Sequence, residues 1–128
     1  MTLKEELDLR VEHYREWKEK DYISLRKWAN TIFGCVEREF RTVRNKTLDS
    51  GYCIIIQYDD DGLSYRTYLE KCKYSYRETT KYNLSQIHVI MDEVANLARK
   101  QGLEVQYIQG STVNFPSWCF YYRPPKRV

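Results

Sequence analysis

The fold of this chain is decided by residues 51 to 72, GYCIIIQYDDDGLSYRTYLEKC. Two runs of β-branched and aromatic residues, which favour strands, flank an aspartate cluster that ends in Gly62. Aspartate tolerates turn geometry, and glycine adopts a positive φ without strain. The stretch therefore predicts a β-hairpin with its turn at residues 59 to 62. The aspartates are interpreted as a solvated turn rather than a calcium loop, because the spacing of EF-hand ligands is not met.

The two halves of the hairpin differ in polarity. Residues 53 to 56 are a continuous apolar run, which predicts a central strand covered on both faces. Residues 63 to 70 alternate apolar with polar side chains, which predicts a strand with one wetter face. We therefore expect a sheet with a buried interior and at least one partly solvated face.

Amphipathic helices are predicted before the hairpin. Thr2 followed by Glu5 is a capping-box pattern, and apolar residues then recur at helical spacing as far as Val43. One helix over residues 3 to 45 would be several times the usual length, so we predict two helices separated near Asp21. Gly34 inside the second helix is interpreted as a point where another element packs closely.

The chain after the hairpin is predicted to add one helix and two strands. Asn83 and Gln86 form a helix start, an apolar stripe follows them from Leu84 to Ala98, and Gly102 ends the helix. Strands are predicted at residues 103 to 108 and 112 to 122, with Pro116 marking an edge or a bulge. For residues 72 to 80 either the second strand runs on or a third short strand follows.

The predicted fold is an α+β two-layer sandwich in the order α-α-β-β-α-β-β. Its antiparallel sheet has about four strands, and the helices pack on one face. A chain of 128 residues is expected to form a single domain. Within it we distinguish a helical N-terminal region (1–46), a ββαββ core (51–122) and a basic tail (123–128).

The composition restricts the class of protein. An apolar content of 42% with 15% aromatic residues is incompatible with a disordered chain. No stretch approaches the roughly 18 to 20 apolar residues that a bilayer span requires, and the N-terminus is too charged for a secretory signal. We therefore expect a soluble, intracellular protein of the cytoplasm with no membrane partner.

The sequence predicts no cofactor, no metal site and no catalytic residue. Its four cysteines are irregularly spaced without a CxxC pair, which favours free thiols over structural zinc. It also lacks a phosphate-binding glycine loop. We expect a non-enzymatic protein; the enzymatic alternative is a thiol paired with a histidine, most plausibly His88 rather than His13.

Two basic regions beside tyrosines are the candidate contact surface. Residues 63 to 82 carry five basic against two acidic residues, and the tail carries three basic residues. The predicted contact residues are Arg66, Lys71, Lys73, Tyr74, Tyr76, Arg77 and Lys81, together with Arg123, Lys126 and Arg127 in the tail.

Two classes of partner fit these regions. Tyrosine and arginine are enriched at protein interfaces, so we expect an accessory or inhibitory factor that binds another protein, of the size that phages and mobile elements encode. The alternative is a nucleic-acid-binding module in which tyrosines stack on bases and basic side chains neutralise phosphates. The N-terminal helices offer a second surface, and we expect a homodimer through them.

Overall fold

The chain folds into helices on a five-stranded antiparallel sheet. This computed structural model describes residues 1–67, 70–112 and 114–126, and for residues 70–73 the backbone alone. The elements are α1 (Leu3–Thr42), α2 (Asn45–Asp49), β1 (Tyr52–Asp59), β2 (Gly62–Thr67), β3 (Glu70–Tyr76), a 3-10 helix (Arg77–Lys81), α3 (Leu84–Lys100), β4 (Glu104–Ile108) and β5 (Ser117–Tyr122). The order of strands across the sheet is β3-β2-β1-β5-β4.

The predicted α+β class and antiparallel sheet are confirmed, with five strands instead of about four. The additional strand is β3, which pairs antiparallel with β2. The register of this pair shifts between Tyr65 and Thr67. Of the two alternatives for residues 72 to 80, a separate third strand is therefore the correct one, and it ends at Tyr76.

The hairpin has the predicted turn. Asp59 pairs with Gly62, whose φ of 88° is the positive value expected for the glycine. The carboxylate of Asp59 accepts a hydrogen bond from the amide of Asp61 at 2.9 Å, which closes the turn locally. A second carboxylate oxygen of Asp59 lies 3.3 Å from the Arg66 guanidinium, so this side chain links the turn to β2.

β1 is central, as predicted, but helices cover only one of its faces. Ile54 and Ile56 are completely buried in the core, whereas Cys53 and Ile55 are half-buried on the other side of the sheet. The prediction of cover on both faces was wrong. On the other side Ile55 is only half-buried, and its partial burial comes from side chains of the adjacent strand, such as that of Cys119, rather than from a helix. We call this side of the sheet the open face.

α1 is one continuous helix of 40 residues, so the predicted break near Asp21 was wrong. Residues 3 to 33 contain neither proline nor glycine, and nothing in the backbone interrupts the hydrogen-bond ladder. Asp21 does not cap a second helix; its carboxylate accepts hydrogen bonds from the Gln86 side chain of α3 at 3.1 and 3.3 Å. The polar interruption therefore marks the point where α1 meets the rest of the fold.

Gly34 is also not a point of close packing. A Cβ atom built on Gly34 would meet no described atom within 4 Å outside its own helix. The close approach lies at Gly62, where a Cβ would come within 2.5 Å of Thr79 Oγ1.

The core lies between the helices and the covered face of the sheet. α3 begins at the predicted capping box, in which the Asn83 side chain and the Gln86 side chain each bond the other's backbone amide. Its buried stripe packs with residues 25–36 of α1 and with β1 and β5. Within the described parts of the chain, no helix combines the length and the apolar character needed to span a membrane.

Candidate binding groove

The fold separates the predicted contact residues onto two faces. Tyr74 and Tyr76 are opposite Tyr65 and Leu63 on the side of the sheet that carries the helices. Arg66 is on the open face, because side chains alternate along a strand, and it pairs there with Asp59. The side chains of Lys71 and Lys73 lie outside the described residues.

The two basic regions also lie at opposite ends of the sheet. Arg77 and Lys81 follow β3 at the end where Tyr58 of β1 lies, whereas Arg123 follows β5 at the end where Tyr52 lies. Six residues of strand separate these ends by about 20 Å. Arg123 forms an ion pair with Glu104 at 2.8 Å, Lys126 is exposed nearby in sequence, and Arg127 lies outside the described residues.

Tyr76 is buried, contrary to the prediction. Its ring is 95% buried and packs edge-on against Trp28, so the expectation that it faces outward with Tyr74 was wrong. Tyr76 is the last residue of β3 and lies opposite buried Leu63, whereas Tyr74 lies two residues nearer the start of β3 and remains 59% exposed. The same alternation that puts both rings on one face thus gives them different depths.

A groove runs between this pair of tyrosines and the C-terminal half of α1. It has a volume of about 410 Å³, and we call it the tyrosine groove. Its principal lining residues are Cys35, Arg38, Glu39, Tyr65, Tyr74 and Tyr76. A neighbouring recess shares Tyr74 and Tyr76 with the groove and extends it to Arg77.

Two hydroxyl groups in the tyrosine groove are buried without a hydrogen-bond partner. These are the hydroxyls of Tyr65 and Tyr76, for which no described atom meets hydrogen-bond geometry. Burial raises the pKa of both far above the ordinary value. The Glu39 carboxylate near Tyr65 and the Cys35 thiol near Tyr76 raise these pKa values further, although neither meets hydrogen-bond geometry. Both hydroxyls are therefore protonated at neutral pH and can donate a hydrogen bond.

The groove has two arginines at its rim and an acidic side chain that is already hydrogen-bonded within the fold. Glu39 is engaged by the Tyr52 hydroxyl, which donates to it at 2.8 Å. Arg38 and Arg77 are exposed at the margin, and Tyr74 supplies an accessible aromatic face. This arrangement is suited to a ligand that carries hydrogen-bond acceptors, such as peptide carbonyls or carboxylates.

His88, which would pair with a thiol, lies on the opposite side of the sheet from the thiols of Cys53 and Cys119. His88 contacts the Tyr107 hydroxyl at 3.4 Å and the Trp118 ring on the helix side. Cys119 follows Trp118 directly and therefore points to the open face, where Cys53 is its diagonal neighbour. The thiol of Cys53 lowers the pKa of the Cys119 thiol, while hydrogen bonding to Cys119 raises that of Cys53. The side chain of Cys72 lies outside the described residues.

Sequence reasoning missed Arg38, Glu39 and Tyr65. A signal was present on α1, where Thr31, Cys35, Arg38 and Thr42 recur at helical spacing beside the buried stripe. A polar row of that kind is typical of a solvated helix face, and only the position of β3 shows that this one borders a groove. The comparisons returned no matching family model, no similar curated protein and no similar solved structure.

Proposed function

We propose that this protein is a non-enzymatic binding module, an accessory or inhibitory factor whose tyrosine groove holds a segment of a partner protein. The observation that carries this proposal is the tyrosine groove itself, a recess of about 410 Å³ between α1 and β3 that is bordered by Arg38 and by the 59% exposed Tyr74. A ligand that covers the ring of Tyr74 would remove apolar surface from water, which favours binding.

The chemistry of the groove restricts the ligand. Arg38 and Arg77 at the rim favour negative charge, while the ring of Tyr74 favours an apolar or aromatic contact. We therefore expect a short peptide segment that combines an acidic residue with an apolar one.

Selection from a displayed random peptide library on the immobilised protein tests this proposal. Selected peptides should be enriched in Asp or Glu next to an apolar residue. Tyr74→Ala and Arg38→Glu should each weaken binding about tenfold or more, measured by fluorescence anisotropy. Lys27→Glu is the matched control, because Lys27 is exposed on the same helix but does not line the groove. Equal losses for Lys27→Glu and Arg38→Glu would contradict the proposal.

The nucleic-acid alternative is supported by one observation, the exposed ring of Tyr74 next to Arg77. It predicts an electrophoretic shift with single-stranded RNA or DNA that weakens steeply as salt is raised, because each phosphate contact releases counterions. The absence of a shift at low salt would discard this alternative.

A further inference from the structure

The N-terminal half of α1 projects from the fold. Every residue from 1 to 20 is exposed, and the next residue, Asp21, is hydrogen-bonded to Gln86 of α3. We call residues 3–20 the helical arm; at 1.5 Å per residue it is about 27 Å long. An isolated helix of this length is only marginally stable in water, so a partner that covers it would stabilise it.

The helical arm carries an apolar stripe that the fold leaves uncovered. Leu7, Val11 and Tyr14 remain 44%, 46% and 59% exposed. They continue the row that is buried farther along α1 at Leu25 and Ala29, because these positions follow one another at helical spacing. The stripe that packs in the core at one end of α1 is therefore available for packing at the other.

The charges beside the stripe are arranged in a self-complementary way. Lys4, Asp8, Arg15 and Glu19 share one flank of the helix, since they are spaced at i, i+4, i+11 and i+15. Their signs along the chain are plus, minus, plus, minus. When this row is reversed and laid beside itself, every charge meets an opposite one. Lys4 and Asp8 already lie 3.5 Å apart within one helix.

We propose that the helical arm pairs with the arm of a second copy of this chain, antiparallel, about a twofold axis between Val11 and Glu12. Lys4 then lies opposite Glu19 of the second copy, and Asp8 lies opposite Arg15 of the second copy. In an antiparallel pair the same flank of each helix faces its copy, so both contacts occur twice. The proposal is independent of the tyrosine groove, which lies at the other end of α1.

The apolar residues fit the same arrangement. With the axis between residues 11 and 12, Leu7 lies between Tyr14 and Lys18 of the second copy, and Leu3 lies near its Tyr22. Small aliphatic side chains thus meet large aromatic ones. A parallel pair would instead place Lys18 against Lys18 along the stripe, with like charges facing each other.

The arm length and the exposed area agree with a weak dimer. The axis places residue 1 opposite residue 22 of the second copy, so the overlap covers the arm and ends where the fold begins. With an aromatic side chain of about 150 to 250 Å² and smaller aliphatic ones, Leu3, Leu7, Val11 and Tyr14 expose on the order of 400 Å² per copy. Two copies would bury at most about 800 Å² of apolar stripe, which is below the roughly 1,200 Å² of stable specific interfaces, and the flanking ion pairs add to it. We therefore expect a dimer that dissociates on dilution.

Sedimentation equilibrium of the full chain at about 1 to 100 μM tests the pairing. Wild type should be a concentration-dependent dimer. Asp8→Arg alone and Arg15→Asp alone should each weaken the homodimer about tenfold or more, because each places like charges together twice. An equimolar mixture of these two variants should recover dimer affinity to within about threefold of wild type, because the mixed pair restores both attractions.

Glu16→Arg is the control, because Glu16 is exposed on the side of the helix away from the stripe. It should leave the dimer unchanged. A wild-type chain that stays monomeric throughout this range would overturn the proposal, and a different protein would then be the partner that covers the stripe. A dimer that the mixed variants fail to restore would overturn the antiparallel register.

Discussion

At the scale of single residues, alanine substitutions at Gly34 and at Gly62 should change the free energy of unfolding in opposite directions. Gly34 lies within α1 with open space around its Cβ position. Gly34→Ala should stabilise the protein by about 0.5 to 1 kcal/mol, because alanine reduces the conformational entropy of the unfolded chain. The midpoint of urea unfolding should rise.

Gly62 is the matched counterpart within the hairpin turn. Gly62→Ala should destabilise the protein by more than about 1 kcal/mol, because the φ of 88° is strained for alanine and its Cβ would collide with Thr79 Oγ1. If Gly34→Ala were the destabilising variant instead, another element would have to pack against α1 at that position.

The buried tyrosines of the groove predict a fall in stability at high pH. Burial raises the pKa of Tyr65 and Tyr76 in the folded state, whereas in the unfolded chain a tyrosine ionises near about pH 10. The contribution of these two tyrosines to the free energy of unfolding is fully present below that pH. It is lost as the pH rises above it, because the unfolded chain then releases protons that the folded chain retains.

Urea unfolding between about pH 8 and pH 11 measures this effect. Tyr76→Phe should make the decline shallower but not abolish it, since Tyr65 remains and partial burial raises the pKa of Tyr121 to about 12. An identical decline in wild type and Tyr76→Phe would mean that Tyr76 ionises as freely in the folded protein as in the unfolded one.

At the scale of elements, the start of α3 determines how firmly that helix is held. The Asn83 side-chain oxygen accepts a hydrogen bond from the backbone amide of Gln86 at 2.9 Å. The Gln86 side chain also donates a hydrogen bond to Asp21 of α1. Asn83→Ala should therefore cost about 1 kcal/mol or somewhat more. Thermal unfolding would measure the loss, with exposed Asn96→Ala on the same helix as the control. A loss in Asn96→Ala equal to that in Asn83→Ala would assign the effect to asparagine content rather than to the cap.

At the scale of the whole molecule, the fold and the helical arm should be separable. The arm has no buried residue, and the core cluster draws on α1 only from Leu25 onward. Deletion of residues 2–20 should therefore shift the melting temperature by less than about 4 °C while unfolding remains cooperative. The same deletion should abolish any dimer. Loss of cooperative unfolding would show that the arm contributes to the core.

Elements whose signal is local were predicted from the sequence. The turn at Gly62 and the cap at Asn83 each depend on residues within one short stretch, so the hairpin and α3 have the predicted positions. The break near Asp21 was wrong for the opposite reason, since it rested on typical helix lengths rather than on a residue that interrupts a helix.

Periodicity and turn chemistry act between neighbours along the chain, so the α+β class, the hairpin and the amphipathic stripe of α1 could be predicted from the amino-acid order. The folded structure was needed to show which part of that stripe is covered, that β5 pairs with β1, and that Tyr76 is buried while Tyr74 is not. These outcomes depend on contacts between residues far apart in sequence. The tyrosine groove exists because α1 and β3 meet across the edge of the sheet, and no local pattern encodes that meeting.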